Sequence, residues 1–182
     1  MDSLQQQLMF TGGALLCAAI ASVSDVHERR IPNRVTGPAI VAGLLLHLAV
    51  SGWHGLGDAA LAGLIAGGMF MIFFLAGGMG AGDVKLMAAV GCIAGTSPLL
   101  LLTVSTAIAG GVFALAVSIQ HGRLREMLRN AGAVLAHHGR WGLTPHPELN
   151  LASPRALRLP FALPIAAGCL VTLCTLAWEV RW

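Results

Sequence analysis

Residues 59–82 read AALAGLIAGGMFMIFFLAGGMGAG, with Asp58 before them and Asp83 after. No Asp, Glu, Lys or Arg interrupts the stretch. A helix needs about 20 apolar residues to cross a membrane, so this stretch reads as one span with a carboxylate at each end. Both carboxylates follow the same spelling, Gly55-Leu56-Gly57-Asp58 and Gly80-Ala81-Gly82-Asp83. Which of them carries chemistry depends on the membrane face each one reaches, and so on the other spans.

The 182 residues are 56% hydrophobic and only 10% charged, with a mean hydropathy of +0.77. Soluble domains carry about 25% charged residues, so a chain surrounded by water is excluded. Further charge-free runs cover residues 3–24, 35–57, 86–122 and 159–178. The run 86–122 is too long for one ordinary span, and Thr96-Ser97-Pro98 divides it. The fold expected is an all-α polytopic membrane helical bundle of about six transmembrane helices. The fourth of these is short and starts close to Asp83. The N-terminus carries Asp2 and no basic residue, unlike the positive region of a signal peptide, so the first run is read as a retained span. Trp53, Trp178 and Trp182 fall at predicted span ends, where amphipathic rings favour the interface. Gly63 and Gly67 have the spacing at which small residues let membrane helices approach. Cys17, Cys92, Cys169 and Cys174 all fall within spans without a C-x-x-C pattern, and read as small buried side chains.

Charge in the connections sets the topology. Arg29, Arg30 and Arg34 follow the first span, Lys85 follows the third, and Arg123, Arg125, Arg129, Arg140, Arg155 and Arg158 follow the fifth. The connections around 51–58 and at Thr96 carry no Lys or Arg. The positive-inside rule then puts the N-terminus outside and the basic connections in the cytoplasm. Asp25, at the end of the first span, and Asp83, two spans on, share the cytoplasmic side. Asp58 lies across a core of about 30 Å. It reads as a cap on the helix that begins at Ala59, accepting hydrogen bonds from orphan amides.

An ionisable residue at the edge of a span is costly and points to function. Two carboxylates forced together share a proton, and their pKa values split apart. One can then activate water while the other polarises a carbonyl. Such a pair hydrolyses amides without a metal or a covalent intermediate. Gly80 and Gly82 are read as permissive backbone that lets an extended substrate approach Asp83. Intramembrane carboxylates also serve proton relays, so a proton-coupled transporter is a rival reading. A non-catalytic membrane scaffold is another.

Ser24-Asp25 with Ile31-Pro32-Asn33, followed by Gly80-Ala81-Gly82-Asp83-Val84-Lys85-Leu86, resembles the type IV prepilin peptidases, a group of GxGD aspartic membrane proteases. Leu159-Pro160-Phe161-Ala162-Leu163-Pro164 is similar to the proline-bearing start of that family's last span. The resemblance implies a catalytic pair at Asp25 and Asp83. Gly80, Gly82, Lys85, Pro32 and Asn33 fall within its motifs, where a substrate would approach. Lys85 is read as neutralising the site or meeting lipid phosphate. The implied activity is an endopeptidase that removes a basic leader from prepilin or pseudopilin substrates at the cytoplasmic face of the bacterial inner membrane. Neither cofactor nor metal is implied. The chain resembles the short, peptidase-only members of tight-adherence (Flp) pilus systems, which implies no methyltransferase activity. Residues 1–182 are read as one membrane peptidase domain with a cytoplasmic connection at about 120–158.

In that connection Leu124, Met127, Leu128, Ala131, Val134, Leu135 and His138 recur at helical spacing beside Arg123, Arg125 and Arg129. This reads as an amphipathic helix on the inner leaflet, with Gly132 and Gly139 limiting its length. Membrane lipids are thus expected partners, with docking on a pilus-assembly protein as the alternative, and no nucleic acid is expected. The histidines at 121, 137, 138 and 146 read as solvated loop residues, as does His27 near Asp25.

Overall fold

The computed structural model describes residues 3–144, 147, 149 and 160–180. Among these residues every regular element is helical: α1 (Ser3–Glu28), α2 (Asn33–Leu75), α3 (Ala81–Ala94), α4 (Leu99–Gln120), α5 (Leu124–Trp141) and α6 (Ala162–Glu179). Four of them, α1, α2, α4 and α6, are long and apolar enough to cross a membrane. The chain is therefore a polytopic helical membrane bundle. Arg155, Arg158, His146, Leu159 and Trp182 lie outside the described residues.

Helix α2 is two helices in one. Gly52 has φ 63 and ψ −150 and is the non-helical point inside it. A positive φ of this kind costs a side-chain-bearing residue, and glycine takes it freely. The chain reverses there, as the neighbours along α3 establish. Asn33 meets Lys85, Gly43 lies on Cys92 and Ile93, and His47 reaches the Ile93 carbonyl. On the way back, Asp58 meets Thr96, Gly63 lies on Cys92 and Ala88, and Gly67 on Ala88. The short helix α3 is thus clasped between two arms of α2. Counting the arms separately and setting α5 aside, six helical segments follow the order expected from the charge-free runs, and Thr96-Ser97-Pro98 forms the turn between α3 and α4.

The clasp works because its contact residues are small. A Cβ added at Gly63 would run into the Cys92 Sγ, and one at Gly43 would sit 2.7 Å from the Cys92 carbonyl oxygen. The Gly63–Gly67 spacing therefore serves a helix contact. Outside the clasp, α1 packs on both α3 and α6, and α6 packs on α4. Gly168 crosses α4 at Thr106. The core contains Ala14, Ala18, Ala21, Leu86, Met87, Val90, Leu102 and Ile165. Cys17, Cys92 and Cys169 are buried as expected, but Cys174 faces outward from α6.

Helix α5 runs through Gly132 and Gly139 to Trp141. The expectation that these glycines limit it is corrected, because a helical glycine costs only about 1 kcal/mol and neither residue leaves helical geometry.

Gly43→Ala should lower stability by about 1–3 kcal/mol, the usual cost of overpacking. Gly68, where a Cβ meets nothing within 4 Å, should accept alanine with no loss. Thermal unfolding in detergent micelles checks both, and equal effects would contradict the clasp.

Candidate active site

Three chain segments converge around Asp25 and Asp83. The first is the end of α1. Asp25 lies in its last turns and is buried, with 7% of its surface exposed. After Glu28, Arg29 adopts φ 51 and donates its N–H to the Asp25 carbonyl oxygen at 2.9 Å. This is a left-handed C-cap, normally a glycine position. Ile31 and Pro32 then lead into α2, with Pro32 at its N-cap position.

The second segment is the start of α3. Helix α2 ends in a Schellman turn: Gly77 N–H donates to the Phe74 carbonyl and Gly78 N–H to the Phe73 carbonyl. Met79 follows, and α3 begins with Gly80 at its N-cap. Asp83 is the third helical residue, and its Oδ2 accepts the Gly80 N–H at 3.2 Å. This is half of a capping box. Asp83 thus caps its own helix as well as belonging to the carboxylate pair.

The third segment is the start of α6. Ala162 N–H donates to Asp25 Oδ2 at 3.2 Å. The first amides of a helix have no partner within it, and the positive end of the helix dipole lies there. A carboxylate at the end of α1 faces the negative pole of its own helix, and α6 offsets that by presenting its positive pole. Sequence reasoning did not assign this contact. Its signal was the Pro160-Phe161 lead into an apolar run, which marks a helix start with orphan amides.

Asp83 is half-buried, and its pKa is raised from 3.8 to about 6. Burial is the larger cause, the Asp25 charge adds to it, and the Gly80 amide works against both. The two carboxylates therefore interact. A raised carboxyl pKa favours the protonated folded form, so stability from this group is fully present below about pH 3.8 and is lost as pH rises through about 6.

The other motif residues sit beside the pair with roles that differ from those expected. Gly80 has ordinary extended angles, φ −82 and ψ 149, so it does not exploit glycine's special freedom. Gly82 packs on Ile31, where a Cβ would come within 3.2 Å of the Ile31 Cβ. It joins α3 to the Ile31-Pro32-Asn33 turn. Lys85 Nζ donates to Asn33 Oδ1 at 3.0 Å. It neither neutralises the carboxylates nor stands free, and instead ties the Asp83 helix to the turn that follows Asp25. His27 turns back along α1, with its Nδ1 2.9 Å from the Val23 carbonyl.

Asp58 lies at the opposite end of α3. Its Oδ2 accepts the Thr96 N–H at 3.1 Å and its Oδ1 accepts the Thr96 hydroxyl. It therefore braces the α3–α4 turn instead of capping the helix at Ala59, as the sequence suggested. His47 is buried beside it, stacked on Phe10 with ring centroids 4.1 Å apart.

Two helices continue past the carboxylate pair. Gly67 lies on Ala88 and Val84 near the start of α3, and α2 runs on to Leu75. Gly110 lies against Phe161 and Pro164, and α4 runs on to Gln120. At the helical rise α4 extends beyond its contact with the start of α6 by about 15 Å, whereas α2, which is antiparallel to α3 and meets Ala88 five residues inside it, extends beyond Asp83 by about one turn. These ends are apolar, with Ile72, Phe73, Val112 and Ile119 exposed. Phe161 touches both, meeting Phe70 at 6.2 Å between ring centroids and Gly110 directly. The carboxylates are thus recessed below the apolar ends of α2 and α4.

A model of the type IV leader peptidase family matches residues 13–115, which include both aspartates. The chain belongs to this family. It is similar to a prepilin leader peptidase/N-methyltransferase of Bacillus subtilis (strain 168), with 32% identity over 125 residues. That match covers 64% of the chain and 48% of the relative, so the chain spans about half the length of that family protein. No solved structure matches the chain.

Infrared titration of the protonated carboxyl band should reveal a group titrating near pH 6 in the unmodified protein. It should vanish in Asp83→Asn and move to lower pH in Asp25→Asn, because the repelling charge is gone. An unmoved titration in Asp25→Asn would mean that the two carboxylates do not interact.

Proposed function

We propose that this chain is a membrane aspartic endopeptidase that removes the basic leader from prepilin-like substrates, with water activated between Asp25 and Asp83. The observation that carries this reading is the convergence of two carboxylates from distant segments in one recess, with Asp83 raised by burial and further by the charge of Asp25. Family membership and the named activity of the Bacillus subtilis relative support the substrate class.

The chemistry follows from two carboxylates that share one proton. Asp83 holds its proton to a higher pH than an ordinary carboxyl, which suits it to donate to the carbonyl oxygen of the scissile amide. Asp25 takes a proton from the water as that water attacks the carbonyl carbon. The tetrahedral intermediate then collapses, the C–N bond breaks, and the proton held by Asp25 passes to the leaving amine. As the C=O bond re-forms, one hydroxyl of the intermediate returns its proton to Asp83, which restores both protonation states and leaves the carboxylic acid and amine products. The Ala162 amide fixes Asp25 and the Gly80 amide fixes Asp83, so neither acid must reorganise during the reaction.

The substrate combines a basic leader with an apolar helix. The leader approaches from the cytoplasmic side, where basic connections predict the pair to lie. The apolar helix lies in the membrane beside the ends of α2 and α4 that overhang the recess. The site then belongs to the cytoplasmic face of a bacterial inner membrane, with residues 1–182 acting as one domain and the connection at about 120–158 in the cytoplasm. Flp-type pilus assembly and secretion are the setting this implies. Membrane lipids surround the chain, and pilus-assembly proteins are its partners there.

Cleavage of a prepilin-like peptide by the reconstituted protein tests the reading. Asp25→Asn and Asp83→Asn should each lower the rate at least about a hundredfold, the lower range for acid–base groups. Asp58→Asn should retain cleavage. A scaffold or proton conductor instead predicts no cleavage by any form, and activity surviving in either of the first two variants would remove the pair from the mechanism.

A further inference from the structure

The geometry points to α5 as a docking surface for an anionic membrane leaflet. This inference does not rest on the peptidase reading. Helix α4 has 22 residues and so spans about 33 Å, close to the thickness of the hydrocarbon core. Its end at Gln120 therefore lies at the membrane surface. A Schellman turn follows at once. Gly122, at φ 65, donates to the Ile119 carbonyl, and Arg123 N–H donates to the Ser118 carbonyl. Helix α5 starts at Leu124 and is thus held at the level of the headgroups.

Three stripes divide its surface. Met127, Val134 and His138 are half-buried along one side of the helix, and there the Ser118 hydroxyl of α4 reaches the Met127 sulfur at 2.9 Å. Leu128 and Leu135 form a second stripe that no described residue covers, at 57% and 74% exposure. Beside it stand Arg125, Arg129 and Arg140, all exposed. The first-turn acid, Glu126, is paired with Arg123 at 2.9 Å, which leaves the arginine stripe without an acidic residue interleaved. No residue of α5 is buried, so packing within the chain does not explain its apolar face.

An uncovered leucine ridge flanked by arginines at headgroup depth matches the two components of an anionic bilayer surface. The leucines enter the acyl boundary and the guanidinium groups meet lipid phosphates. A protein partner would need acidic groups complementary to the arginine stripe, at a place where anionic headgroups already provide that charge.

Trp141, 69% exposed at the end of α5, serves as the probe. The full chain with Trp53→Phe, Trp178→Phe and Trp182→Phe is reconstituted into vesicles doped with equal amounts of brominated phosphatidylglycerol or brominated phosphatidylcholine. Quenching of Trp141 should be at least about twofold stronger with the anionic lipid, because arginines near an anionic surface concentrate it. Adding Arg125→Gln, Arg129→Gln and Arg140→Gln should bring the two lipids to parity, and circular dichroism confirms that the fold persists. Absence of quenching by either lipid would overturn the proposal and leave α5 for solvent or a protein partner. Equal quenching by both lipids with the arginines intact would overturn it as well.

Discussion

A helix of 14 residues such as α3 spans about 21 Å, less than the hydrocarbon core it has to serve. Its place in the fold depends on α2 wrapping around it. The reversal at Gly52 provides two arms, and Gly43, Gly63 and Gly67 bring both close to the α3 backbone. Membrane helices gain little from hydrophobic association and rely on such close packing. Because α3 is held along its length, its two ends are fixed at opposite levels. Asp83 sits at one end and Asp58 at the other, and their different roles follow from that separation.

The carboxylate pair then has to be held against its own electrostatics. Asp25 lies at the unfavourable pole of α1, and Asp83 is half-buried beside it. Each receives one backbone amide, from Ala162 at the start of α6 and from Gly80 at the start of α3. Lys85 and Asn33 tie the two halves of the site together without placing a cation on either acid. The positive pole of α6 and the N-cap of α3 thus provide fixed dipoles where a mobile counter-ion would quench the pair.

Much of this was legible in the sequence. Charge-free runs marked the spans, and the alternation of basic and non-basic connections put Asp25 and Asp83 on one side and Asp58 on the other. The glycines were harder to read. The motif suggests that Gly80 and Gly82 give freedom to a substrate, yet Gly80 has ordinary angles and Gly82 is a contact surface for Ile31. Spacing identifies a small residue but not what packs on it. Asp58 could be placed at a helix start, but its bond to Thr96 joins residues 38 apart in sequence and required the fold. The Ala162 amide is 137 residues from Asp25, and no local pattern links them.

The most direct test of this account is disulfide cross-linking between position 25 and position 83 in a chain whose four native cysteines have been replaced by serine or alanine. Oxidation of the Asp25→Cys/Asp83→Cys protein in membranes should give an internal cross-link, detected as a mass lower by two hydrogens. Asp25→Cys/Asp58→Cys should give none, because α3 holds those positions at opposite ends. A cross-link in the second protein, or none in the first, would contradict the placement of the two carboxylates on which the account depends.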